Sequence, residues 1–142
     1  VIENCDGYKN LYYNGQRISS EDDIRRMFRL VWYDTTYKVD FDTNNGRGEA
    51  DVIVSKGRYN QNITEFKLAS NSSLSHVFEQ VKIYEAANCA DGSLVAIFYF
   101  SEIELEIATR VIKNAGYEDQ VDNAIFLIDC RADNKPSASK VR

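Results

Sequence analysis

Proline, histidine, methionine and tryptophan each occur once in the 142 residues, cysteine three times and glycine seven times. So little Pro and Gly excludes collagen-like and low-complexity architectures. Cys5, Cys89 and Cys130 form no CxxC pair and no Cys/His cluster, and His76 stands alone, so a zinc site of ordinary ligand spacing has no support. An odd cysteine count also argues against a complete disulfide framework. It points to a reducing, cytoplasmic setting in which Cys89 and Cys130 read as small buried hydrophobes. No apolar run approaches the roughly 18 residues of a membrane helix, and the opening VIENCDGYKN is polar, so this stretch holds no membrane span and no secretion signal. Positive charge is the minority: 17 Lys and Arg face 22 Asp and Glu, for a net charge of −5. A protein gripping phosphate backbones with its whole surface would carry the opposite sign, so any nucleic-acid contact is local to a site.

What is present is a globular composition, 44% apolar and 27% charged, on a chain long enough to bury about two-thirds of its unfolded surface. No repeat or composition shift marks a second domain. Residues 19–130 therefore read as one domain, after a Tyr-rich lead-in or short hairpin over 1–18 and before a polar, loose tail over 131–142. The chain begins with Val rather than Met, as a trimmed piece of a longer protein would.

Ser19-Ser20-Glu21-Asp22-Asp23 offers an N-cap and first-turn acids. Ile24, Met27, Phe28 and Val31 recur at i, i+3, i+4 and i+7, predicting an amphipathic helix over 20–33. Period two takes over at Tyr37, Val39 and Phe41, and Asn44-Asn45-Gly46 turns the chain into a second strand over 50–54. Lys56-Gly57-Arg58 with Asn60 reads as the loop to a third strand over 63–68. Ser72-Ser73 caps a helix carrying Leu74, Val77, Val81 and Tyr84 that ends near Asn88. Leu94 to Phe100 is apolar on both faces, the mark of a central strand covered on each side by helices. A helix over 102–114, closed by Gly116, and a strand over 124–128 follow. The order α-β-β-β-α-β-α-β implies an α/β fold with a mixed sheet flanked by helices, because hairpins pair antiparallel and crossovers return the chain in parallel.

Two segments put unusual residues on these strands. Gly48-Glu49-Ala50-Asp51 opens the second strand, and Glu65-Phe66-Lys67 lies inside the third. Alternation sends Glu65 and Lys67 to one face, and hairpin pairing sets Asp51 beside Glu65. Carboxylates held that close raise one another's pKa unless a cation joins them. Mg²⁺, or Mn²⁺ in its place, meets that demand, since it takes one or two carboxylates together with waters and a substrate phosphate. The role of Glu49 is open. His76, with no Ser, Cys or Asp partner, reads as a helix-surface or partly buried residue. Arg17, Arg25, Arg26, Arg29, Arg47, Lys56 and Arg58 form either a rim for phosphates or an ordinary charged face. Tyr8, Tyr12 and Tyr13 pack on the core or a partner, and Glu102, Glu104 and Glu106 read as a solvated acidic helix start.

An Asp on one strand and Glu-x-Lys on the next, in this order of elements, resembles the PD-(D/E)xK nuclease superfamily. Gly-x-x-Asp ending at Asp51 and Gln-x-x-x-Tyr over Gln80 to Tyr84 resemble its RecB-like branch. The motifs span residues 48–84, and the surrounding elements extend the likeness over most of 20–130. Ala50 stands where the Pro of the family name would, and no His precedes the Gly-x-x-Asp. The resemblance implies a restriction-endonuclease-like fold and metal-dependent hydrolysis of DNA in a defence, restriction or repair setting. Asp51, Glu65 and the carbonyl of Phe66 would hold Mg²⁺ or Mn²⁺, Lys67 would serve the attacking water, and Gln80 and Tyr84 would position substrate. A further acid on the first helix is Glu21, with Asp22 next. Cutting both strands of a duplex would require two such sites, hence a homodimer. Other readings are a silent binding or assembly module serving other domains or subunits, and an RNA-cleaving toxin acting on tRNA.

Overall fold

The computed structural model describes residues 2–44, 46–57 and 59–135; the turn residue Asn45, the rim residue Arg58 and the tail residues 136–142 lie outside the described residues. The lead-in is a 3-10 turn over Gly7–Leu11 followed by a two-residue hairpin, β1 (Tyr12–Tyr13) with β2 (Gln16–Arg17). Asn14 and Gly15 both take positive φ, 50° and 77°, the left-handed pair that a tight hairpin demands. Leu11 is fully buried and Tyr8 nearly so, while Tyr13 is exposed.

Helix α1 (Glu21–Val31) starts where the acids predict: Ser20 is extended and its hydroxyl accepts the Asp22 N–H at 3.2 Å. The apolar stripe is shorter than expected. Ile24 is buried, but Val31 is 70% exposed, because the helix ends there and this last position falls outside the core. Strands β3 (Lys38–Asn44), β4 (Glu49–Lys56) and β5 (Tyr59–Leu68) form an antiparallel meander. The loop expected through Asn60 is narrower than predicted: β5 begins at Tyr59, with Gly57 (φ 77°) turning the chain and Asn60 held at φ 64°. A 3-10 turn over Leu74–His76 leads into α2 (Val77–Asn88). Neither the Ser73 nor the His76 side chain accepts a capping N–H, and the Ser73 hydroxyl instead donates to Asn71 Oδ1 at 2.8 Å. Strand β6 (Gly92–Tyr99), helix α3 (Glu102–Asn114) and strand β7 (Ile125–Asp129) complete the fold. The five-stranded mixed sheet runs β3-β4-β5-β6-β7, with β6 and β7 parallel to β5.

Strand β6 lies inside the sheet between β5 and β7, one place from its centre, and divides two cores, as its all-apolar sequence predicts. Val95, Ile97 and Tyr99 pack with Val77, Phe78 and Val81 of α2 and Ala108 and Ile112 of α3. Phe98 turns the other way, to Phe66, Leu68 and Val52 of the sheet, Ile24 of α1, and Leu11 and Cys130. Among the described residues no helix is long and apolar enough to cross a membrane.

Three expectations fail for local reasons. Glu104 is buried at 7% exposure rather than solvated: its Oε2 accepts the Phe100 N–H at 2.8 Å and its Oε1 pairs with Arg17, while Ser101 caps its own N–H. Cys89 is exposed, because it ends α2 in the left-handed conformation (φ 50°) instead of packing inward. The tail is anchored through Lys135. Asp129 accepts hydrogen bonds from Arg131, Asn134 and Lys135. Against the upward push of burial, these hold its carboxyl well below the usual range.

Phe98 is fully buried, and Phe98→Ala should cost about 3–5 kcal/mol in urea unfolding. Tyr33→Ala, at a side chain 93% exposed, should stay within about 0.5 kcal/mol of the parent.

Candidate active site

The main-chain pairing of β4 with β5 runs up to Val52 opposite Thr64. One residue further on, side chains take over. Asp51 Oδ2 accepts the Phe66 N–H at 2.8 Å, and Glu65 Oε1 accepts the Asp51 N–H at 3.2 Å. Each carboxylate is thus tied to the main chain of the other strand, and the pair stands where the ladder gives way. Both are deeply buried, at 5% and 3% exposure. Burial raises the proton affinity of Asp51, against the pull of the Phe66 N–H, Arg25 and Lys67. Burial and the neighbouring Asp51 charge push Glu65 up to about 8.

Lys67 follows on the same face of β5 and is half-buried; its charge favours the ionised forms of Glu21, Asp51 and Glu65. Phe66 points to the opposite core, its ring 4.6 Å from Phe28 and 5.9 Å from Phe98. That anchor fixes the strand on which the two charged neighbours ride. Glu21 reaches from the first turn of α1 to the end of β5, where Oε1 accepts the Leu68 N–H at 3.0 Å and the Asn71 side chain at 2.7 Å. Against the upward push of its partial burial, these bonds and Lys67 hold its carboxyl below the usual range.

From α2, Tyr84 faces the same spot. Burial, then the charges of Glu65, Asp51 and Glu49, raise its hydroxyl pKa and keep it a donor. Gly48 explains why the motif opens on glycine. It adopts φ +112°, where a side chain is strained, and a Cβ there would sit 2.9 Å from the Tyr84 hydroxyl oxygen and push the ring aside. Gln80, one turn earlier on that helix face, has a side-chain oxygen that is buried without a hydrogen-bond partner among the described residues. Such an acceptor calls for a donor from water or substrate. Glu49 is exposed and His76 lies on the surface.

Sequence reasoning missed Arg25. Read as part of either a phosphate rim or an ordinary charged face, it instead turns inward: Nη1 lies 2.5 Å from Asp51 Oδ1, Nε lies 3.3 Å from Asp42 Oδ1, and Asp22 is bound as well. Asp22, the alternate acid of α1, is therefore spent on Arg25. The signal was available, since Arg25 follows Glu21 by four residues and so shares its helix face. Of the other cations in that set, Arg26 pairs with Asp23, Arg29 with Asp42 and Arg17 with Glu104, Lys56 lies over the Tyr37 ring, and Arg47 is exposed.

Among the described residues no group of three or more His, Cys, Asp or Glu side chains converges as a metal cage. The two buried carboxylates offer oxygen donors only, and on α2 the Gln80 side-chain oxygen is buried without a partner among the described residues. That chemistry fits a hard cation which keeps most of its waters and is completed by substrate.

The folded protein holds the Glu65 proton more tightly than the unfolded chain does. The stability contributed by Glu65 is therefore fully present below the ordinary glutamate range and is lost as the pH rises through it toward about 8. The urea midpoint of the metal-free protein should drop between about pH 5 and pH 8.5, and Glu65→Gln should flatten that slope; a midpoint rising over this window contradicts the site's electrostatics. Gly48→Ala should displace Tyr84, seen as an altered tyrosine near-ultraviolet signal with helix content retained.

No curated protein and no solved structure matches the chain. A family model does match, over residues 1–102, a span that holds Glu21, Asp51, Glu65, Lys67, Gln80 and Tyr84 and stops at the start of α3. The chain belongs to that family, which is described as a domain of unknown function (DUF8371).

Proposed function

We propose that this protein is a Mg²⁺- or Mn²⁺-dependent nuclease with a restriction-endonuclease-like fold that hydrolyses DNA phosphodiester bonds. The observation that carries the reading is the buried Asp51 and Glu65 pair, each fastened to the other's strand, with Lys67 beside it. Asp51, Glu65 and the Phe66 carbonyl would hold the ion. When bound, the ion supplies charge to neutralise the phosphate and to sharpen an attacking water. Lys67 orients that water or stabilises charge growing on the phosphate oxygens. Tyr84 donates and Gln80 accepts, which together orient substrate or water. Glu21 fixes the end of β5 through Leu68 and keeps Lys67 in place by its charge. The sugar plays no part in this chemistry, so RNA is the alternative substrate.

One observation favours a second reading, a catalytically silent binding module of a larger assembly. Arg25 already neutralises Asp51, and a fixed ion pair would serve architecture alone. Cleavage assays separate the two. With Mg²⁺ or Mn²⁺ the protein should nick plasmid and degrade single-stranded DNA or RNA, and Asp51→Ala and Lys67→Ala should each lose about a hundredfold or more. Equal activity in all three proteins, or none in any, removes the nuclease assignment.

A further inference from the structure

Resting on the nuclease reading, we infer that Arg25 guards the site: its guanidinium occupies Asp51 until a nucleic-acid phosphate draws it away, so that metal competes with Arg25 while substrate recruits it. Four observations carry this. First, Asp51 has both oxygens engaged, Oδ2 by the Phe66 N–H and Oδ1 by Arg25 at 2.5 Å. A cation approaching Oδ1 meets a resident positive charge.

Second, the guanidinium has somewhere else to stay. Its five donors are spread over three carboxylates, and only Asp51 is deep in the fold. Asp22 and Asp42 have side chains 53% and 36% exposed, so they can keep Arg25 at the surface once it leaves Asp51. Third, the approach is open. A polar hollow of about 250 Å³ lined by Asp22, Arg25, Arg26, Arg29 and Asp42 brings solvent to the outer side of Arg25. Arg26 and Arg29 stand 73% and 51% exposed there, and the fork of an arginine matches the oxygens of a phosphate two at a time.

Fourth, the backbone builds the seat. Asp42 lies in β3 between the pairs Phe41 with Val52 and Thr43 with Ala50, opposite Asp51, and takes φ 53°. A left-handed residue inside a strand is strained for a non-glycine, and here it delivers a carboxylate to Arg25. The arrangement makes metal loading depend on substrate, which keeps an idle site from assembling.

The two halves of the inference have opposite signs, and full-length variants read them without turnover. Mn²⁺ affinity is measured by calorimetry in the absence of nucleic acid, and binding of a short fluorescein-labelled single-stranded DNA by anisotropy in EDTA. Arg25→Met should bind Mn²⁺ roughly tenfold tighter than the parent and DNA roughly tenfold weaker. Arg25→Lys, which keeps the charge should the Met variant misfold, should also bind Mn²⁺ more tightly, because an ammonium cannot span three carboxylates. Loss of both affinities in both variants means that Arg25 is a structural brace, and overturns the guard. Unchanged or weaker Mn²⁺ binding in the Arg25 variants, with Glu65→Ala abolishing it, overturns the guard and leaves the metal site standing. Absence of Mn²⁺ binding in the parent and in every Arg25 variant defeats the nuclease reading, and the guard falls with it.

Discussion

Two carboxylates share one buried spot at the point where β4 and β5 stop pairing, and the rest of the site depends on that contact. Desolvation and mutual repulsion both act against holding Asp51 and Glu65 charged there. The fold answers with main-chain donors, each acid taking an N–H of the facing strand, and with cations on two sides, Lys67 from β5 and Arg25 from α1. Carboxylates perturbed this strongly are what single the spot out as the candidate site. The same contact also explains the supporting parts. Phe66 anchors the strand from the opposite core, Gly48 clears room for Tyr84, and Glu21 ties the end of β5 to α1.

The architecture around the pair is economical. The antiparallel meander brings β4 against β5 through a short turn, so Asp51 and Glu65, fourteen residues apart, need no long loop to meet. The parallel half of the sheet supplies rigidity: β6 is buried on both faces, between α1 and the lead-in on one side and α2 and α3 on the other. Helices α1 and α2 then deliver Glu21 and Arg25, and Gln80 and Tyr84, onto the two flanks of one strand end.

Much of this was legible in the sequence because it rests on short-range periodicities. The change from i, i+3, i+4 spacing around Ile24 to alternation around Val39 locates α1 and β3, and the doubly apolar run from Leu94 locates β6. The meeting of Asp51 with Glu65 follows from hairpin pairing alone. What was not legible depends on side-chain reach and on distant partners. Helical spacing shows which face carries Arg25, not that its long stem folds inward to Asp51. Glu104 reads as one more acid in a helical first turn, because its partner Arg17 is 87 residues away, in the lead-in hairpin. Cys89 reads as a small buried hydrophobe, whereas the left-handed conformation that ends α2 there leaves it exposed. The anchoring of Arg131 and Lys135 on Asp129 opposes a composition that reads as loose.

The central claim, two acids compelled to share one buried position, is tested most directly by carboxyl ¹³C titration of glutamate-labelled protein, with Glu65 assigned through Glu65→Gln. The account predicts that Glu65 titrates near 8, apart from the surface glutamates, and that added Mg²⁺ lowers its midpoint. A Glu65 signal that titrates with the ordinary glutamates near 4.5 and ignores Mg²⁺ would contradict it.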